Sequence, residues 1–189
     1  MFRNAIPYPF HSPGAIMQKM IFTAIAYWTI LASTLAQEPN DSSLAKESSP
    51  EHKKLHAFIG TWELSVSGVE QKGRAEIKPI LGGLFITEDV TIPFGGFDMN
   101  WHGVLGYDRV NKQYTGVWFD NMNNITRSSS GDVDETGRVI TFRGEQAGHG
   151  RFAWRISNDG DKAMTIEMFQ VTEDGKESLV MSVRGTKLE

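Results

Sequence analysis

"WHGVLGYDRVNKQYTGVWFD", Trp101 to Asp120, holds two runs rich in Val, Trp, Tyr and Phe, separated by a short polar break around "DRVNKQ". Such runs are strand-like, and a break of this length has no room for a crossover helix. The two runs are therefore expected to be neighbouring antiparallel strands.

The same grammar continues in both directions. Strands are expected over Thr61 to Val69, Arg74 to Ile80, Leu84 to Ile92, Asp98 to Tyr107, Tyr114 to Asp120, Ile125 to Val133, Arg138 to Glu145, Phe152 to Ser157, Ala163 to Val171 and Ser178 to Thr186. Most breaks carry Gly, Asn or Asp, the residues of hairpin turns. About ten consecutive antiparallel strands either split into a sandwich or close on themselves. A meander without a long Greek-key connection closes most simply as an up-and-down barrel, which also removes its exposed edges. The expected fold is all-β: a single antiparallel up-and-down barrel of about ten strands with a short N-terminal helix. A sandwich is the second choice.

The helix precedes the meander. Ser49 suits an N-cap, Pro50 the first helical position, and Leu55, Phe58 and Ile59 fall on one face before Gly60 stops the turn. Residues 37–49 are polar and Ser-rich and read as a disordered linker. Residues 1–36 read as a signal peptide. Lys19 precedes the uncharged run Met20 to Leu35, and small residues close it at Thr34 and Ala36. The run is shorter than the roughly 20 residues a membrane-spanning helix needs. Met17 is an alternative start. The expected destination is the periplasm or the medium, with the barrel domain over 50–189.

Cysteine is absent, which excludes disulfides, thiolate catalysis and Cys-based metal sites. Residues 1–36 contain Arg3 and Lys19 and no acid, so their removal takes the formal charge from −4 to −6. An acidic surface gives no reason to expect nucleic acid as a partner, and none to expect a membrane partner once the signal is cleaved. No metal or cofactor is expected.

Alternation assigns the interior. Met99, Trp101, Leu105 and Tyr107 share one phase, and Asp98, Asn100, His102 and Val104 the other. Ile140 and Phe142, then Phe152, Trp154 and Ile156, then Met164, Ile166 and Met168 are further lumen candidates. Tyr114, Trp118 and Asp120 share a phase opposite Val117 and Phe119. Both faces of that strand are apolar, so the outer one is expected to lie under the helix or under a second subunit of a homodimer.

Gly60-Thr61-Trp62 follows the helix and opens the first strand. It resembles the Gly-x-Trp start of lipocalins and other calycins, and the resemblance implies that Trp62 closes the barrel floor and that Arg184, in "VRGTK", packs across it. "HKKLHAFIGTWE", "ILGGLFITED", "GVLGYDRVNKQYTGVWFDNM" and "GDVDETGRVITFRGE" together resemble the motifs of the bacterial "domain of unknown function 1579" family over about residues 52 to 187. That resemblance implies a calycin-like barrel and no activity.

Other motifs read locally. Leu81-Gly82-Gly83 is a turn rather than a phosphate cradle, because a strand follows it. Pro93-Phe94-Gly95-Gly96 is a candidate flap at a barrel mouth. Gly103 and Gly106 suggest bulges or sharp bends at barrel corners. His52 and His56 are four apart on the helix but lack a metal-site motif, and solvent exposure is the expected state. His149 falls in a loop. Glu88 and Asp89 are adjacent in a strand, so one must point inward, where Arg127, Arg143, Arg155 or Arg184 is the expected partner. Asp120 caps a turn or forms a lumen-rim acid with His102 or Arg127.

Three functions fit. The first is a binding protein holding a small apolar or amphipathic ligand against Trp101, Trp118, Phe142, Trp154 and Met168. The second is an enzyme using Asp120 or His102 as acid or base. The third is a structural or partner-binding barrel with a closed core. The sequence leans away from an enzyme.

Overall fold

The computed structural model describes residues 48–188 with the exception of Asn124. The signal peptide and nearly all of the linker expected from the sequence lie outside the described residues. A short helix, α1 (Pro50–His56), precedes ten strands. They are β1 (Gly60–Val66), β2 (Gly73–Ile80), β3 (Phe85–Pro93), β4 (Asp98–Asp108), β5 (Gln113–Asp120), β6 (Thr126–Val133), β7 (Val139–Gln146), β8 (Gly150–Asn158), β9 (Ala163–Val171) and β10 (Glu177–Lys187). Each strand pairs antiparallel with its sequence neighbours, and β10 pairs back onto β1 with Trp62 opposite Lys187. The meander closes into a barrel and the sandwich alternative falls.

Burial follows the two-residue period. Ile86, Glu88, Val90 and Ile92 of β3 point inward, as do Ile140 and Phe142 of β7, Trp154 and Ile156 of β8, and Met164 and Ile166 of β9. Trp101, Leu105 and Tyr114 complete this wall from β4 and β5.

One end of the barrel is sealed. The helix contributes Leu55, and Phe58 follows it; both are buried with Trp62. The Trp62 indole N–H donates to the Phe58 carbonyl at 2.8 Å, and the Tyr114 hydroxyl donates to the Glu51 carbonyl at 3.2 Å. His52 is buried, not exposed. Its Nδ1 accepts the Ser49 backbone N–H at 3.0 Å, the role that Glu or Gln plays in a capping box, and its ring meets Tyr107 edge-on. His56 Nε2 lies 2.8 Å from the Gly83 carbonyl. That contact ties the helix to the Leu81–Gly83 turn, where Gly82 and Gly83 take positive φ.

Three further expectations are corrected. Arg184 does not cover Trp62. It is exposed and in register with Ser65, because one-residue alternation along β10 puts Val183, Gly185 and Lys187 inward instead. The Lys187 ammonium takes the place over the Trp62 ring, 5.3 Å from its centre. Gly103 and Gly106 are not bulges, since β4 keeps regular register with both neighbours through them. They are sites of close approach: a Cβ at Gly106 would sit 2.4 Å from the Phe85 ring, and one at Gly103 would sit 3.0 Å from the Glu88 carboxylate. The register shift lies in β10, between Leu179 and Met181. Finally, α1 packs on β3 and β4 and does not cover Val117 and Phe119, which remain 37% and 48% exposed.

Candidate functional site

The end opposite α1 is where β4 begins, β5 and β9 end, and β6 begins. A cavity of about 260 Å³ opens there, lined by Met99, Trp101, Trp118, Phe152, Met168, Phe169, Val180 and Met181, with Asp120, Asn123, Arg127 and Gln170 as its polar members. Trp101, Trp118 and Met168 therefore line it as placed from the sequence. Phe142 and Trp154 do not. They stack at 4.1 Å below the cavity, fully enclosed, and the Trp154 indole N–H is satisfied by Ser129 Oγ at 3.1 Å. They belong to the packed core. Trp118 bridges the two zones, meeting Trp154 edge-on at 5.5 Å.

Both carboxylate oxygens of Asp120 are engaged. Oδ1 accepts the backbone N–H groups of Met122 and Asn123 at 2.9 and 2.7 Å, which caps the turn into β6. Oδ2 accepts from Arg127 Nη1 at 3.0 Å, and both side chains are mostly sheltered. The Arg127 guanidinium also lies over the Trp118 ring at 5.8 Å. The cavity thus carries one neutralised, hydrogen-bonded ion pair and two neutral polar side chains, Asn123 and Gln170, on a mainly apolar wall. Of the two partners considered for Asp120, Arg127 is the one it meets.

His102 is in register with Phe119 while Asp120 is in register with Trp101, so the two candidate acid/base groups stand on opposite faces of the wall. His102 points outward. Its Nδ1 lies 2.6 Å from Asp89 Oδ1 and its ring packs on Phe119 at 5.4 Å. Together they flank an open concavity of about 810 Å³ over β2–β5, with Arg74, Thr91 and Asn100. Thr91 Oγ1 donates to Asn100 Oδ1 at 2.7 Å.

Glu88 is the carboxylate that turns inward, and no arginine among the described residues meets it. Arg127 is committed to Asp120, Arg143 and Arg155 to Glu177, and Arg184 faces out. Glu88 is only 6% exposed, and among the described residues its Oε1 has no hydrogen-bond partner. Burial pushes its pKa up to about 7, against the smaller opposing pulls of the Trp101 side chain and of His102.

The model of one protein family, described as "Protein of unknown function (DUF1579)", matches residues 47–187. The chain belongs to the DUF1579 family. No curated protein matches it. Among solved structures, the chain is similar to Rv2717c from M. tuberculosis, with a TM-score of 0.53 at 13% identity, over 76% of this chain and all of that one. That is a likeness of fold. A redesigned beta barrel aligns with a TM-score of 0.38 at 12% identity, over 75% of this chain and all of the other.

Within this family member, some site residues escaped the sequence reading. Val180 is the unpaired residue at the β10 register shift and Met181 follows it, and the shift breaks the alternation that flags lumen residues. Lys187 was legible: it lies two and four residues from Gly185 and Val183, in the inward phase that excludes Arg184.

Proposed function

We propose that the barrel binds one small, uncharged, apolar or amphipathic molecule in the mouth cavity. The observation that carries this reading is the lining: aromatic and methionine side chains around a single ion pair that is already neutralised. Methionine suits an adaptable apolar contact, and a few polar groups on an apolar wall are the usual composition of a ligand site. Size narrows the class. A cavity of about 260 Å³ exceeds the roughly 150 Å³ that encloses benzene and falls below the roughly 300 Å³ where drug-sized pockets begin. One- or two-ring aromatics and short-chain amphiphiles fit that range. Asp120 serves here as the anchor that holds Arg127 against Trp118, not as a base.

Native mass spectrometry of protein purified from its own source is the test, joined to thermal-shift and tryptophan-fluorescence titration with a panel of such compounds. A retained small molecule, or a saturable shift lost on filling the mouth with Met168→Trp, is expected. No retained compound and no shift across the panel would sink the reading. Export is proposed on residues 1–36 alone, and N-terminal sequencing of the mature chain tests it.

A further inference from the structure

Glu88 has no part in the reading above, yet it lies one inward position along β3 from Val90, the register partner of the cavity-lining Trp101. Trp101 has two neighbours: its side chain lines the cavity and also bears on the Glu88 carboxyl, whose ionised form it favours. We infer that occupation of the mouth cavity by an uncharged ligand is coupled to protonation of Glu88, with Trp101 as the shared wall. This rests on the mouth cavity being the binding site.

The argument starts from what Glu88 lacks. A carboxylate inside a barrel normally faces a cation, and here the groups around it supply none. On β2 the residue in register is Ile77, while Glu76 and Lys78 pair with each other on the outer face. On β4 the residue in register is Gly103, whose missing side chain leaves the space the carboxylate occupies. His102 acts through the wall from the outer face, where Asp89 already holds it. In the cavity itself, Asp120 and Arg127 cancel one another. With Oε1 unpartnered, the inexpensive state of this group is the neutral acid, and its titration falls near neutrality.

Filling the cavity replaces water on the open face of Trp101 with an apolar body. The surroundings of Glu88 become less polarisable, and the ionised form becomes costlier still. The bound protein therefore favours the protonated acid, and by reciprocity the protonated protein favours the ligand. Binding takes up a proton, and affinity falls as pH rises past 7.

Isothermal titration calorimetry with indole, which does not titrate in this range, tests this in two buffers of different ionisation enthalpy. Proton uptake near neutral pH is expected in the wild type and its loss in Glu88→Gln, with indole still bound. If the ligand displaces the Glu88 titration by one unit, affinity drops about tenfold between about pH 6 and about pH 9. Indole binding without proton uptake, or uptake that persists in Glu88→Gln, overturns the coupling and leaves the binding reading intact. Absence of indole binding at every pH counts against both.

Discussion

The two ends of the barrel are built from similar residues to opposite effect. At the sealed end, Leu55, Phe58, Trp62 and Tyr114 are enclosed, and the polar atoms of the aromatics are spent on backbone carbonyls of the helix region. At the mouth, Trp118 and Met168 are only half-buried, and Phe97, Met122, Leu179 and Val180 stand exposed around the rim. A closed sheet gives every strand two partners, so the rim does not need a packed plug to hold its strands together. The helix concentrates stabilising burial at one end and leaves the other free to hold a cavity. The difference can be broken or sharpened by substitution at each end.

The largest effect is expected at the floor. Trp62→Ala removes a fully enclosed ring and leaves a void, at a cost of about 3–5 kcal/mol. Trp118→Ala, at the half-open mouth, is expected to cost roughly half as much while enlarging the ligand cavity. Urea denaturation of both variants measures the contrast. Equal losses would mean that the mouth is as much core as the floor.

Next comes the buried acid. The Glu88 pKa is raised in the fold, from 4.5 to about 7. Its stabilising contribution is therefore complete below about pH 4.5 and is lost as pH rises through about 7. Glu88→Gln keeps the shape and removes the charge, so at about pH 8 it is expected to be more stable than the wild type by about 3 kcal/mol at most. Near pH 4.5 the two should converge. Thermal melts across this range decide it, and a gap that does not narrow on acidification argues that Glu88 is ionised and solvated in the fold.

The mouth ion pair is expected to matter less. Arg127→Ala strips one partner from Asp120, but two backbone N–H groups remain on that carboxylate. A loss of about 1–3 kcal/mol is expected, with Arg127→Met recovering part of it by restoring the packing on Trp118. Chemical denaturation of the three proteins provides the measurement.

How far the sequence foretold this contrast depends on the period involved. Short strands and Gly- or Asn-bearing breaks made the ten-strand meander legible, and Ser49-Pro50 with Leu55 and Phe58 made the helix legible, because each signal is local. Trp101, Trp118 and Met168 reached the mouth for the same reason: alternation along one strand places them. Which apolar lumen residues face open space and which face each other depends on depth along the barrel axis. The period alone therefore groups Phe142 and Trp154 with the ligand-binding lumen residues, whereas they stack beneath the cavity. Alternation also decides between Glu88 and Asp89 once the phase of Ile86 is known, but the absence of a cationic partner is settled by three other strands. His52 was misplaced because a cap that buries an imidazole looks, in sequence, like any polar residue on a short helix.

His52 supplies the smallest and most discriminating prediction. Its pKa is held below the ordinary 6.5, first by burial and then by the charge of Arg109. The neutral ring is the form that accepts the Ser49 N–H. As pH falls below 6.5, the unfolded chain takes up a proton that the fold resists, so the contribution of His52 is present above 6.5 and is lost on acidification. Glu88 runs the other way, losing its contribution as pH rises. The two ends of the barrel thus respond to opposite changes of pH. His52→Gln keeps an acceptor at the capping position and is expected to cost less than about 1 kcal/mol near pH 7.5, mainly from the lost edge contact with Tyr107. Its stability should decline less than that of the wild type between about pH 6.5 and about pH 5. Amide hydrogen exchange locates the effect: acid should raise exchange in α1 of the wild type but not of His52→Gln, with β4 and β5 at the mouth unchanged. Exchange that rises at both ends together would show that the barrel titrates as one unit and that the division between floor and mouth has no energetic meaning.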